Sequence, residues 1–272
     1  MVDAYRRIRN TLRFMLANTS DFDPTRDAVA SADLLEIDRF ALARAAQVQA
    51  EILAHYEVYE FHRVVAKLQI YCSEDLGAFY LDVLKDRLYT TAPGSLARRS
   101  AQTALWQITQ AMLRWMAPFM SFTAEEAWQV IGGGATIFTE TYWKFDAVDE
   151  ALLARWALIR EAREATNKAI ETLRSAGGVG SSLQAEVVIH APAELHAVLQ
   201  SLGDDLKFVL ITSAVGLASA ESLSVEVRPS AAAKCERCWH YRSDVGSDPA
   251  QPTICARCTS NLHGSGEVRR VA

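Results

Sequence analysis

The opening stretch "AYRRIRNTLRFMLAN" repeats apolar residues at helical spacing, Tyr5, Ile8, Leu12 and Met15, while Arg6, Arg9 and Arg13 line the face beside them. An amphipathic first helix is predicted, packed on its stripe with the arginines outside. After the turn "NTSDFDP", Ser31 or Asp33 is placed to cap a long helical pattern, "LLEIDRFALARAAQVQAEILAHYEVYEFHRVVAKL". That span exceeds one typical helix, and a break is expected near His55 to Glu57. A further helix follows through "AFYLDVLKDRLY", and the loop "TTAPGS" separates it from "LARRSAQTALWQITQAMLRWMAP", which Pro118 ends or kinks. Thr123 and Glu126 have capping-box spacing for another short helix, closed by the glycines of "IGGG". No Gly-Lys-Ser/Thr follows those glycines, so they read as a loop and not a phosphate cradle.

The pattern changes after about Asp149. "ALLARWALIREAREATNKAIETLRSAGG" is one strongly periodic helix stopped by Gly177 and Gly178, with Asn167 and Lys168 on its polar side. Strand-like "LQAEVVIHA", helical "AELHAVLQSL", apolar "LKFVLITSA" and alternating "LSVEVRP" then succeed one another. The expected architecture is mainly α. A helical bundle fills residues 1–149, a small α/β junction domain residues 150–230, and a short "SAAAK" linker leads into a tail over 231–272.

With half its residues hydrophobic, the 272-residue chain can bury a sizeable core. A formal net charge of -5 argues against a basic coat for wrapping duplex nucleic acid, though it says nothing about local patches. Arginines interrupt the start too often for a secretory leader. The longest apolar stretch, "FVLITSAVGLA", is about half the roughly 20 residues that span a bilayer. A cytoplasmic, soluble, monomeric chain with no membrane partner is expected.

Four of the five cysteines sit in that tail. Cys235 and Cys238 are separated from Cys255 and Cys258 by sixteen residues, a spacing that reads as a zinc site. Two C-x-x-C turns each present two thiolates, and four thiolates complete the tetrahedron that zinc accepts, leaving no open position for a catalytic water. One structural zinc ion is expected, standing in for a core that the tail is too short to build. A disulfide framework, and iron or another ligand set with His240 as the one substitute ligand, are the alternatives. Cys72, in "LQIYCSEDL", reads as a small buried hydrophobe.

Arg237 lies inside the first C-x-x-C and Trp239 follows it. Trp239 has two readings: it stacks on an unpaired base while Arg237 meets phosphate or a base edge, or it packs over the metal site as its apolar cover. The arginine flank of the first helix, Asn10 included, is likewise either an RNA-tracking patch or a solvated face. Catalysis finds little support. His55, His62, His190 and His196 have no nucleophile placed beside them by any motif, and the pairs Glu74-Asp75 and Glu125-Glu126 fall at expected helix starts.

The stretches "DAYRRIRNTLRFMLANTSDFDP", "FHRVVAKLQIYCSEDLGAFYLDVLKDRLYT" and "RWMAPFMSFTAEEAW", with "KCERCWHY" and "CARCTSNLHGSGEVRRVA", resemble the C-terminal region of bacterial isoleucyl-tRNA synthetases. The resemblance covers essentially the whole chain. It implies an anticodon-binding helical domain, a junction and a four-cysteine zinc tail that together grip the anticodon stem-loop of isoleucine tRNA. Cys235, Cys238, Cys255 and Cys258 carry over as zinc ligands, and Arg9, Arg13, Arg237 and Trp239 are the expected RNA contacts. The family activates isoleucine with ATP on a catalytic domain bearing HIGH-like and KMSKS-like motifs, neither of which occurs here. The resemblance therefore implies a partner catalytic domain ahead of this chain, ATP bound only there, and no aminoacylation by this chain alone. A zinc-stabilised interaction module without RNA binding is the alternative.

Overall fold

The structure, a computed structural model, describes residues 2–272. It divides into two compact units, one formed by the chain up to Leu84 with Arg99–Glu150, the other by Lys85–Arg98 with Ala151–Ala272.

The first unit is helical. In α1 (Val2–Asn18) the residues Ile8, Leu12 and Met15 are buried, but the fourth member of the expected stripe, Tyr5, is 44% exposed. The packed face is completed instead by Thr11, whose hydroxyl bonds the Cys72 thiol. In the short α2 (Pro24–Asp27) Asp23 caps the Thr25 amide and proline occupies the first turn. Neither Ser31 nor Asp33 caps the next long helix: they form a separate 3₁₀ turn, and α3 (Glu36–Glu57) begins after Leu35 without a side-chain cap. Its start is held by tertiary partners. The Leu35 amide donates to Ser100 Oγ at 2.9 Å, and buried Asp38 accepts hydrogen bonds from Ser100 and from Tyr80 Oη, the latter at 2.7 Å.

The break after Glu57 occurs as expected, with Tyr59 in the left-handed region turning the chain into α4 (Phe61–Ile70). The next expectation fails. No separate helix begins near Ala78, because α4 continues through a π-helical stretch, Tyr71–Tyr80, directly into α5 (Leu81–Thr90). No proline interrupts the run, and Gly77 permits the widened turn: a Cβ there would sit 2.9 Å from the Cys72 carbonyl oxygen. Glu74 and Asp75 consequently lie inside a helical run and not at its start, and Asp75 pairs with Arg44 at 3.1 Å.

Helix α6 (Leu96–Met116) stops two residues before Pro118. Helix α7 (Ser121–Val130) starts three residues earlier than the Thr123–Glu126 capping box requires, and no side chain caps it. The Glu125 carboxylate instead accepts from the Ile137 amide and Thr136 Oγ1, tying down the following loop. The glycine loop closes α7 as expected. Gly132 has φ +69°, and a Cβ on Gly133 would lie 2.2 Å from the Trp128 ring.

In the second unit, α8 (Glu150–Ser175) ends where Gly177 (φ +77°) and Gly178 return their amides to the Arg174 and Leu173 carbonyls. Strand β1 (Ala185–Ala191) buries alternate residues, and α9 (Ala193–Ser201) and α10 (Leu206–Leu210) pack on the same small sheet. Strand order is β2-β1-β3, with β2 (Ala214–Ser219) parallel to β1 and β3 (Ser224–Pro229) antiparallel. The "SAAAK" segment is only partly a linker, since Ala233–Lys234 forms β4 and pairs with β5 (Tyr241–Arg242). Helix α11 (Ala256–His263) follows. No helix among the described residues is long and apolar enough to cross a membrane.

Candidate metal centre and nucleic-acid interface

The β4–β5 hairpin makes the first knuckle. The Cys235 amide donates to the His240 carbonyl and the Trp239 amide to the Cys235 carbonyl, each at 2.9 Å, so Cys235 and Cys238 present their sulfurs to one side. The second pair is set by α11, with Cys255 at its N-cap position and Cys258 in its first turn. The four sulfurs lie within 4.8 Å of one another and all four residues are buried. Ile254 and Val245 supply the little apolar cover that the cluster has.

Both Cys235–Cys258 and Cys238–Cys255 have Sγ–Sγ separations of 3.8 Å. That is the edge of a tetrahedron with metal–sulfur bonds of about 2.3 Å, and far beyond the roughly 2.05 Å of a disulfide. All four cysteines are free thiols. The sulfurs also perturb one another. Hydrogen bonding from Cys238 holds Cys255 well below the usual thiol range, whereas the hydrogen bond to Cys238 pushes Cys258 up. Four buried sulfurs cannot all ionise unaided, and a divalent cation removes that conflict. The Cys255 amide donates to Cys235 Sγ at 3.3 Å, tying the two knuckles together. The donor set fits a zinc ion.

His240 is not part of the cluster. It is buried with Nε2 3.6 Å from Asp86 and its ring edge-on to Phe208. The carboxylate of Asp86, near the end of α5, also receives Arg257 from α11 and Arg269 from the C-terminal segment at 2.7 and 2.5 Å. Burial on its own would raise the Asp86 carboxyl, but Arg257, with His240 and Arg269, outweighs it and holds the group well below the usual carboxylate range. Glu267 accepts from both arginines. The Asp205 carboxylate collects the Arg270, Val271 and Ala272 amides. Sequence reading missed this ion cluster.

Arg237 is engaged: it donates to the Thr90 carbonyl at 2.6 Å and to that of Tyr89 at 3.5 Å, meeting the open carbonyls at the end of α5. Trp239 is not a cover for the metal site. It is 59% exposed, held at φ +66° and approached by Lys234 Nζ at 5.5 Å from the ring centroid. In the other unit, Arg6, Arg7 and Arg13 on α1 are exposed and Arg9 is half-buried. Cys72 is buried as expected, and burial pushes its thiol up to about 12. His55 pairs with Glu60 and His190 with Glu226.

Comparison with known proteins agrees with this geometry. The family described as the anticodon-binding domain of tRNA ligase matches residues 38–189, and the zinc finger found in FPG and IleRS matches residues 233–261. An isoleucine–tRNA ligase of Cupriavidus taiwanensis is 60% identical over 278 residues, which cover 99% of this chain and 29% of the relative. One from Ralstonia pickettii is 60% identical over 281 residues, covering 100% and 29%. Isoleucine–tRNA ligase 1 of Burkholderia mallei is 59% identical over 278 residues, again 100% and 29%. The chain thus spans about 29% of the length of these relatives.

Proposed function

Because the chain belongs to the family of tRNA-ligase anticodon-binding domains, we propose that it reads the anticodon stem-loop of isoleucine tRNA as the C-terminal part of an isoleucine–tRNA ligase. Residues 1–149 serve as the helical anticodon-binding domain, 150–230 as the junction and 231–272 as the zinc tail. ATP and isoleucine belong to a catalytic body on the same enzyme, which acts as a cytoplasmic monomer, and this chain alone gives no isoleucine-dependent ATP–pyrophosphate exchange.

Cys235, Cys238, Cys255 and Cys258 hold one zinc ion, and the closed sulfur shell limits that ion to a structural role. The protein's own residues do the recognition. An unpaired loop base stacks on the indole of Trp239, and phosphates meet Arg9 and Arg13 on α1. Arg237 keeps its grip on the α5 carbonyls and fixes the knuckle from which the indole projects, while its positive charge faces the same RNA.

The observation that carries this reading is Trp239 itself, a large aromatic left 59% exposed in a left-handed conformation on a knuckle whose two sides are fixed. Bulky residues rarely adopt that conformation without a constraint behind it. Filter binding with the anticodon stem-loop tests the proposal. The parent chain binds and Trp239→Ala weakens binding about 10-fold with unchanged metal content, since base stacking contributes roughly 1–3 kcal/mol. Unchanged binding by the variant contradicts it and leaves the tail as an interaction module.

A further inference from the structure

A groove in the helical unit has the chemistry of a single-nucleotide subsite. The cavity, about 270 Å³, is lined by Arg114, Thr141, Tyr142, Trp143 and Lys144. Pockets for whole drug-sized ligands run from about 300 Å³ upward, so this groove suits a smaller group such as one base with its phosphate. Its rim is open: Thr141, Tyr142 and Lys144 are all exposed.

The floor is rigid. Arg114 on α6 donates from Nε to the Thr141 carbonyl at 2.7 Å, from Nη1 to Gln110 and from Nη2 to Glu140 at 2.8 Å. Its guanidinium lies 5.0 Å from the centroid of the Trp128 ring and 5.6 Å from that of Trp143. Trp106 meets the Trp143 ring edge-on at 5.2 Å, and Gln49 Nε2 donates to the Trp143 carbonyl at 2.7 Å. All three nitrogens of the Arg114 guanidinium are thereby committed within the protein, and Glu140 is neutralised by it. What remains for a ligand is a fixed aromatic wall, the 38%-exposed Tyr142 ring, and Lys144, which has no hydrogen bond or ion pair among the described residues.

An aromatic surface beside an uncommitted ammonium fits a flat, electron-rich ring joined to an anion. A purely apolar ligand has no use for the lysine, and a simple anion none for the aromatic wall. We infer that this groove binds one unpaired nucleotide of an RNA strand, the base against Tyr142 and the adjoining phosphate at Lys144. The inference rests on the anticodon reading above and adds a second RNA contact at residues which that reading does not use.

The test is binding of the anticodon stem-loop by the full chain across a range of salt concentrations. Tyr142→Ala should weaken binding about 10-fold and Tyr142→Phe should leave it near the parent value, because stacking needs the ring and not the hydroxyl. Lys144→Ala should lower the slope of log K against log salt by about one charge. Unchanged affinity in Tyr142→Ala together with an unchanged slope in Lys144→Ala, while the parent binds and Trp239→Ala weakens it, overturns the subsite alone. A parent chain that binds no stem-loop overturns both readings. A groove that takes free uridine monophosphate without either variant affecting RNA also overturns it, since the site then serves a small molecule.

Discussion

Arg257 grips Asp86 through two parallel hydrogen bonds, Nη1 to Oδ2 at 2.7 Å and Nη2 to Oδ1 at 2.8 Å. The pair joins the helix that carries Cys255 and Cys258 to the end of α5, and Arg269 and His240 converge on the same carboxylate. Removing the carboxylate would leave two guanidinium groups, with side chains only 7% and 1% exposed, short of their anion. Asp86→Ala is therefore expected to destabilise the second unit by about 3–5 kcal/mol, read as a lowered urea midpoint.

The same carboxylate sets an acid limit. Its folded pKa is depressed, so its contribution is fully present above the ordinary carboxylate value of about 3.9 and is lost as pH falls through the lower folded value. Urea titrations of the parent chain and Asp86→Asn should differ widely at neutral pH and converge at pH values well below about 4.

Cys72 acts at the opposite end of the scale. Its folded thiol, raised to about 12, stays protonated where an unfolded thiol ionises near 8.5. The resulting stabilisation is complete below about 8.5 and fades as pH rises toward the folded value. In metal-loaded protein at pH 8, a thiol reagent should leave Cys72 unlabelled until denaturant is added.

At Gly133 an added methyl would fall 2.2 Å from the Trp128 ring, the ring that also faces Arg114. Gly133→Ala is expected to cost about 1–3 kcal/mol by overpacking, seen as a lower thermal midpoint, whereas Gly94→Ala, with nothing within 4 Å of the new atom, should cost much less.

Sequence and structure agree where the signal is local. The Gly177–Gly178 stop of α8 and the two C-x-x-C turns each depend on residues a few positions apart, and both are found. The helix starts at Glu36 and Ser121 were misread because their caps are not local: Ser100 serves the first, and the second has no side-chain cap at all. The run through Tyr71–Tyr80 was missed because a wide helical turn has no sequence period distinct from an ordinary helix, and only close packing at Gly77 betrays it. Asp86 and Arg257 stand 171 positions apart, and no spacing rule joins them. For Trp239 the sequence left stacking and covering equally open, and its exposure removes the second.

The central claim is that a zinc-braced knuckle presents Trp239 to an unpaired base of an anticodon loop. It is tested most directly by measuring affinity for the isoleucine anticodon stem-loop and for the same stem with a replaced anticodon, before and after zinc is chelated. The expected result is clear preference for the isoleucine anticodon in the zinc-loaded protein and loss of that preference on chelation. Equal affinity for both loops, or a preference that survives with the metal stripped away, would contradict the account.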